Sequence, residues 1–167
     1  MRFSAFAFAA SALVLAACGG EKAAPADSAA APTTDSAAVA APAPTADAGT
    51  ATAAPATGQT HDVKMIGDEK GYRFEPANLT VKAGDAVKFT MVSGGPHDVT
   101  FEESIPAAGK AQLAANIPNP AAPLKSQMLL NPNETVTISF ANVAPGAYNY
   151  NCTPHLAMGM KGVITVE

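Results

Sequence analysis

Tyr148-Asn149-Tyr150-Asn151-Cys152-Thr153-Pro154-His155-Leu156-Ala157-Met158-Gly159-Met160 is the stretch on which the fold turns. Its first residues alternate with period two and put Tyr148 and Tyr150 on one face, the pattern of a strand with one side in a core. Pro154 and Gly159 break that pattern, so Cys152, His155 and the two methionines fall on the loop that follows the strand. A thiolate, an imidazole and a thioether within the nine residues Cys152–Met160 form a soft donor set, and such a set suits copper. A second imidazole is needed to complete it. His97 supplies one from Gly95-Pro96-His97-Asp98-Val99, at the start of another strand-like run.

Working outward, the same period-two pattern recurs in His61–Ile66, Leu79–Val81, Ala86–Val92, Val99–Phe101, Thr135–Phe140, Ala147–Asn151 and Gly162–Val166. Turn residues separate these runs: Lys82-Ala83-Gly84-Asp85, Ser93-Gly94-Gly95-Pro96, Asn131-Pro132-Asn133 and Ala144-Pro145-Gly146. Many short strands with regular turns predict an all-β sandwich over residues 60–167. Residues 105–125 interrupt the pattern with four prolines around an Ala-rich stretch, and read as a long excursion with a helical turn near Gly109–Asn116. Met65, Met91 and Met128 sit in strand-like runs and are expected in the core, as are Tyr148 and Tyr150. His61 opens its strand beside the preceding linker and is expected to face solvent without ligating a metal.

The rest of the chain has a different composition. Of the 167 residues 48% are apolar, but 38 are alanine and 24 of those precede His61, so the apolar share overstates the core. Met1 and Arg2 followed by the apolar run Phe3–Leu15 predict an export signal, too short to span a ~30 Å hydrocarbon layer comfortably. The run ends in Leu15-Ala16-Ala17-Cys18-Gly19, which resembles the bacterial lipoprotein signal and implies removal of residues 1–17 and lipid attachment at Cys18. Such a chain is exported and held on a bacterial membrane with its domain in the periplasm. Gly19 and Gly20 in place of an acidic residue favour the outer membrane. Residues 18–59 are dominated by Ala, Pro, Thr, Ser and Asp, with Val39 the one large apolar residue after Cys18, and predict a disordered tether.

Composition also excludes functions. Lys and Arg number 10 against 14 acidic residues and form no cluster, which argues against a nucleic-acid partner. Two cysteines 134 positions apart cannot staple a small fold. With Cys18 committed to lipid, Cys152 has no disulfide partner in a compartment that oxidises stray thiols, which itself points to a ligand. A copper oxidase or nitrite reductase needs a further histidine-rich site, and with only three histidines His61 alone remains, so an enzyme is not expected. Zinc is disfavoured by the thioether.

The Cys152–Met160 loop together with His97 resembles the small blue copper proteins, the cupredoxins. The loop is most like pseudoazurin, and Phe74-Glu75-Pro76-Ala77-Asn78-Leu79-Thr80-Val81-Lys82-Ala83-Gly84-Asp85 is similar to bacterial plastocyanin. The resemblance covers residues 60–167 and implies a Greek-key sandwich of about eight strands, with one copper ion held by His97, Cys152, His155 and Met160. Met158 is the rival axial ligand, as in the shorter-loop relative amicyanin. The implied activity is one-electron transport by a monomer that exchanges electrons with redox proteins such as c-type cytochromes or a terminal oxidase or reductase. Copper storage or delivery is the alternative. By the same resemblance the electron leaves through the His155 edge, ringed by Pro154, Leu156, Ala157 and Met158, with Gly95 and Pro96 nearby. One position departs from the family pattern: Asp98 stands where Asn is usual. Its backbone N–H can still serve the ligand sulfur and its side chain can accept a bond from Thr153, while its negative charge is expected to favour Cu(II) and lower the reduction potential.

Overall fold

The computed structural model describes residues 51–167. The expected signal at 1–17, the lipid site Cys18 and the linker up to residue 50 lie outside the described residues.

Eight strands form two four-stranded sheets. They are β1 (Thr60–Asp68), β2 (Gly71–Glu75), β3 (Asn78–Val81), β4 (Ala86–Met91), β5 (Thr100–Phe101), β6 (Thr135–Ser139), β7 (Gly146–Asn151) and β8 (Lys161–Val166). One sheet has the order β2-β1-β4-β6 and the other β3-β8-β7-β5. β1 pairs parallel with β4 and β3 parallel with β8, and the remaining pairs are antiparallel. The all-β sandwich read from the sequence is therefore the fold.

Alternation places the core. Val63 and Met65 of β1, Val87, Phe89 and Met91 of β4, Tyr148 and Tyr150 of β7, and Ile164 and Val166 of β8 all point between the sheets and are buried. Phe74, Phe89 and Tyr150 meet edge to face, with ring centroids 4.7–6.0 Å apart, and knit the two layers together. Each such side chain contributes about 1.5–3 kcal/mol by leaving water. The tyrosine hydroxyls, which would be costly to bury unpaired, donate to backbone carbonyls: Tyr148 to Ala144 O at 2.6 Å and Tyr150 to Ala77 O at 3.1 Å.

The structure departs from the sequence reading in five places. β2 was not expected, because Gly71-Tyr72-Arg73-Phe74-Glu75 mixes charged residues into a short edge strand; it forms because Phe74 turns inward and the Asp68–Arg73 pair (2.8 Å) spans the hairpin. The excursion holds a full helix, α1 (Ala107–Asn116), rather than a single turn. Gly109 lets α1 lie against the sheet, since a Cβ there would collide with the Tyr148 hydroxyl. Met128, expected in the core, is 38% exposed because it flanks buried Leu129 in an extended segment and alternation turns it outward. His61 is only partly exposed, with Nε2 2.9 Å from Asp85 Oδ2.

The fifth departure concerns residues 51–59, which were read as the end of the tether but are bonded to the domain. Thr57 and Gly58 donate to Gly84 O (2.9 and 2.8 Å), Ala54 donates to Asn116 Oδ1 (2.8 Å) and Gln112 donates to Thr52 O (2.9 Å). Asn116, buried at the end of α1, also donates to the carbonyls of Ser139 and Ala141 (both 2.9 Å). Its amide thus ties two separate chain segments to the end of α1. Hydrogen bonds supplied by side chains far along the chain hold this Ala/Thr/Pro strap, and its own composition carries no sign of them.

Asp85 fastens the strap at its junction with β1. It accepts from Gln59 N (2.9 Å), Lys82 N (3.0 Å) and His61 Nε2, and the His61 contact leads these in pulling its pKa from the usual 3.8 to about 2. A carboxylate more acidic in the folded than in the unfolded chain stabilises the fold above its unfolded pKa, and that advantage disappears as pH falls toward the folded value. Asp85→Asn is therefore expected to lower the melting temperature at neutral pH by several degrees. The gap from the native protein should close between about pH 4 and pH 2, as followed by circular dichroism melts across that range.

Candidate metal centre

The strand registers bring the expected ligands to one end of the sandwich. β1 and β4 run in parallel from Thr60↔Ala86 to Met65↔Met91, so both C-terminal ends lie at the same pole as the His97 loop. In the other sheet Asn151 pairs with Lys161, which puts Cys152 and Met160 side by side at the mouth of β7 and β8. Cys152 N donates to Met160 O at 3.1 Å and closes the loop at its base. Between them a short 3-10 helix, Thr153–Met158, raises His155 over the sulfur. Gly159 ends it at φ 84°, the left-handed conformation glycine tolerates, and its N–H caps the carbonyls of His155 and Leu156.

The donor atoms converge. Cys152 Sγ lies 3.5 Å from His97 Nδ1 and 3.4 Å from His155 Nδ1, and the two nitrogens are 3.2 Å apart. All three residues are buried. His97 Nε2 donates to Ser93 O at 2.8 Å, which leaves Nδ1 as the free lone pair and aims it at the sulfur. The backbone of His97 is pinned as well, exchanging bonds with Leu129 at 3.0 and 2.8 Å. His155 stacks on Tyr72 with ring centroids 3.8 Å apart and planes 15° apart, so its ring cannot swing away without losing that contact.

Burial sets the electrostatics. It pushes the Cys152 thiol up to about 11, while the N–H groups of Asp98 and His155 act against that rise and favour the thiolate. His155 is shifted downward by burial and then by neighbouring His97, which keeps its imidazole neutral and available as a donor. Two imidazoles and a thiol that gives up its proton to a metal suit a cation of borderline softness. Met160 is fully buried in the same core cluster as Cys152, whereas Met158 is 59% exposed. Burial separates the two candidate thioethers: Met160 lies in the core with Cys152, and Met158 faces water.

Residues 46–167 match the family model described as copper binding proteins, plastocyanin/azurin family. The chain belongs to the plastocyanin/azurin family. It is 36% identical over 115 residues to the plastocyanin of Prochlorothrix hollandica, covering 69% of this chain and 79% of that protein. Against the plastocyanin of Synechococcus sp. (strain JA-2-3B'a(2-13)) the identity is 38% over 113 residues, covering 68% and 77%. Among solved structures, the oxidized plastocyanin from Dryopteris crassirhizoma is 34% identical and covers 64% of this chain and 100% of its own, with a TM-score of 0.46. The cofactor of this plastocyanin-family domain is copper, which its soft donor set fits.

Three features around the plastocyanin-type cluster escaped the sequence. Tyr72 stands in the unexpected strand β2, so nothing signalled its stack on His155. Ser126 Oγ accepts from Val99 N at 2.9 Å and ties the excursion to the His97 loop. Lys125 Nζ lies 3.1 Å from Asp98 Oδ2, so the expected lone anion beside the ligands is paired.

The exposure contrast yields a direct check. Met158→Leu is expected to leave the visible and electron paramagnetic spectra of the copper-loaded protein unchanged. Met160→Leu should shift the ratio of its two thiolate-to-copper bands.

Proposed function

We propose that this protein is a one-electron carrier that cycles a single type 1 (blue) copper ion between Cu(II) and Cu(I) and shuttles electrons between extracytoplasmic redox proteins. His97, Cys152, His155 and Met160 would hold the ion, a soft donor set that suits one-electron copper chemistry. The observation that carries this reading is the closure of the site. Three donors converge in a buried place and Met160 is buried in the same core cluster, an arrangement that suits a change of charge at the ion rather than transformation of a bound reactant. That arrangement supports a carrier.

A surface feature supports docking of protein partners at the same pole. Among the described residues the exposed large apolar side chains are Val92, Met128, Leu130, Leu156 and Met158. Leu156 and Met158 surround His155, Val92 leads into the His97 loop, and Met128 and Leu130 flank the residue paired with His97. A patch of this kind fits brief, low-area encounters with c-type cytochromes or a terminal oxidase or reductase, and the His155 edge is the exit for the electron. The folded region carries 8 basic and 10 acidic side chains, in keeping with a monomer that has no nucleic-acid partner. The same proposal places the protein outside the cytoplasm, lipid-anchored at Cys18 to a bacterial membrane, with the outer membrane favoured.

The decisive experiment is the visible spectrum and voltammetry of the copper-loaded protein. An intense thiolate-to-copper band and a reversible couple are expected, with Leu156→Glu slowing exchange with a cytochrome about tenfold or more and sparing the band. Copper bound without the band or the couple would transfer the protein to storage or delivery. For the anchor, Cys18→Ser should move the protein from the membrane to the soluble fraction of its host.

A further inference from the structure

The carboxylate of Asp98 is completely buried beside the ligands, and its two oxygens have different partners. Oδ1 accepts from Thr153 N at 2.6 Å, which links the residue after His97 to the residue after Cys152. Oδ2 accepts no aligned hydrogen bond and meets only the Lys125 ammonium, 3.1 Å away. Lys125 is 27% exposed and also donates to Thr153 Oγ1 at 3.2 Å, which in turn bonds Thr100 Oγ1 at 3.0 Å. One ammonium thus joins the His97 loop, the start of β5 and the Cys152 loop.

The chain goes to some trouble to put Lys125 there. Its N–H closes a tight turn on Ala122 O (3.0 Å) and its carbonyl accepts from Ala121 N (3.1 Å). Within that turn Leu124 takes φ 60°, a left-handed conformation disfavoured for a residue with a side chain. It is retained because the Leu124 side chain is buried in the core and its carbonyl accepts from Phe101 N at 2.9 Å. The next two residues then pair with the ligand segment, Lys125 bridging to Thr100 and Ser126 bonding Val99.

We infer that Lys125, delivered by the excursion between β5 and β6, is a positioning residue for the metal centre: it neutralises buried Asp98, and through Asp98 and Thr153 it sets both the spacing of the two ligand loops and the charge felt at the copper. The inference rests on the copper reading above. A buried carboxylate with one oxygen otherwise unpartnered is stable only with a counter-charge in contact. That counter-charge cancels most of the field by which Asp98 would hold the ion as Cu(II). The potential is then governed by the pair, and the lowering expected from Asp98 alone is offset.

A double-mutant cycle on the full chain tests this. Lys125→Met exposes the copper to an unpaired anion and should lower the reduction potential. Asp98→Asn leaves an unpaired cation and should raise it. The double variant should return close to the native value, and Lys125→Arg should keep both the potential and the visible band. A role confined to folding would not produce opposite signs. Shifts of the same sign, or no shift for Lys125→Met, would overturn the inference. The cycle is read a second time on metal-free protein by urea unfolding: the two single losses should not add in the double variant, and additive losses would count against the pair. If the native protein forms no blue copper centre, the carrier proposal fails, while the unfolding cycle still decides whether Lys125 and Asp98 act as a unit.

Discussion

Everything in this domain depends on holding two imidazole nitrogens and one sulfur within 4.8 Å of one another in a buried place. Such a cluster is unfavourable for a protein interior, because the single S–H proton of Cys152 cannot satisfy both facing imidazole lone pairs at once. It persists only if each donor is pinned from behind by something stronger than the local repulsion. His97 is pinned by Ser93 O and the Leu129 bridge, His155 by the Tyr72 stack, and Cys152 by the end of β7 and its bond to Met160 O. These restraints come from both sheets, from the excursion and from an edge strand, so the sandwich as a whole serves as the clamp. A clamp of that kind also limits how far the ligands can move when the ion changes charge, and small rearrangement favours fast electron exchange.

The sequence disclosed the parts of this arrangement whose chemistry is local. Cys152, His155 and the methionines announce themselves by spacing, and alternation located seven of the eight strands to within a few residues. What it hid was whatever depends on contacts between distant segments. Tyr72 is one of several aromatics until β2 folds onto β1 and carries it to His155. Asn116 and Asp85 look like ordinary helix-end and turn residues until each is seen bonding the strap at 51–59. Met128 was misjudged because a run of apolar residues, Met128-Leu129-Leu130, does not say which member faces inward; the bridge between Leu129 and His97 decides it. The choice between Met158 and Met160 rested on resemblance, and burial supplies the physical reason.

The excursion between β5 and β6 is where the sequence was least legible. Its composition, Pro- and Ala-rich, reads as a long excursion with one helical turn. In the fold it is stitched along the ligand side of the sandwich, with α1 against Tyr148, Leu124 in the core, Ser126 on Val99 and Leu129 on His97. Asp98 and Lys125 belong together in that light. A buried Asp beside the ligands would be a liability in isolation, and a lysine on a spacer would be unremarked. As a contacting pair they make a neutral, directional link where an amide would otherwise serve. They also make the centre sensitive to a segment far away in sequence.

The strap gives the domain a polarity. Residues 57–59 bond Gly84, Asp85 and Ala86, and the registers place those residues at the starts of β1 and β4, while His97 and Cys152 follow the far ends of β4 and β7. The chain therefore enters the domain at the pole away from the copper ligands and from the apolar residues around His155. The strap is bonded as far back as Thr52, so the folded unit begins earlier than composition implies.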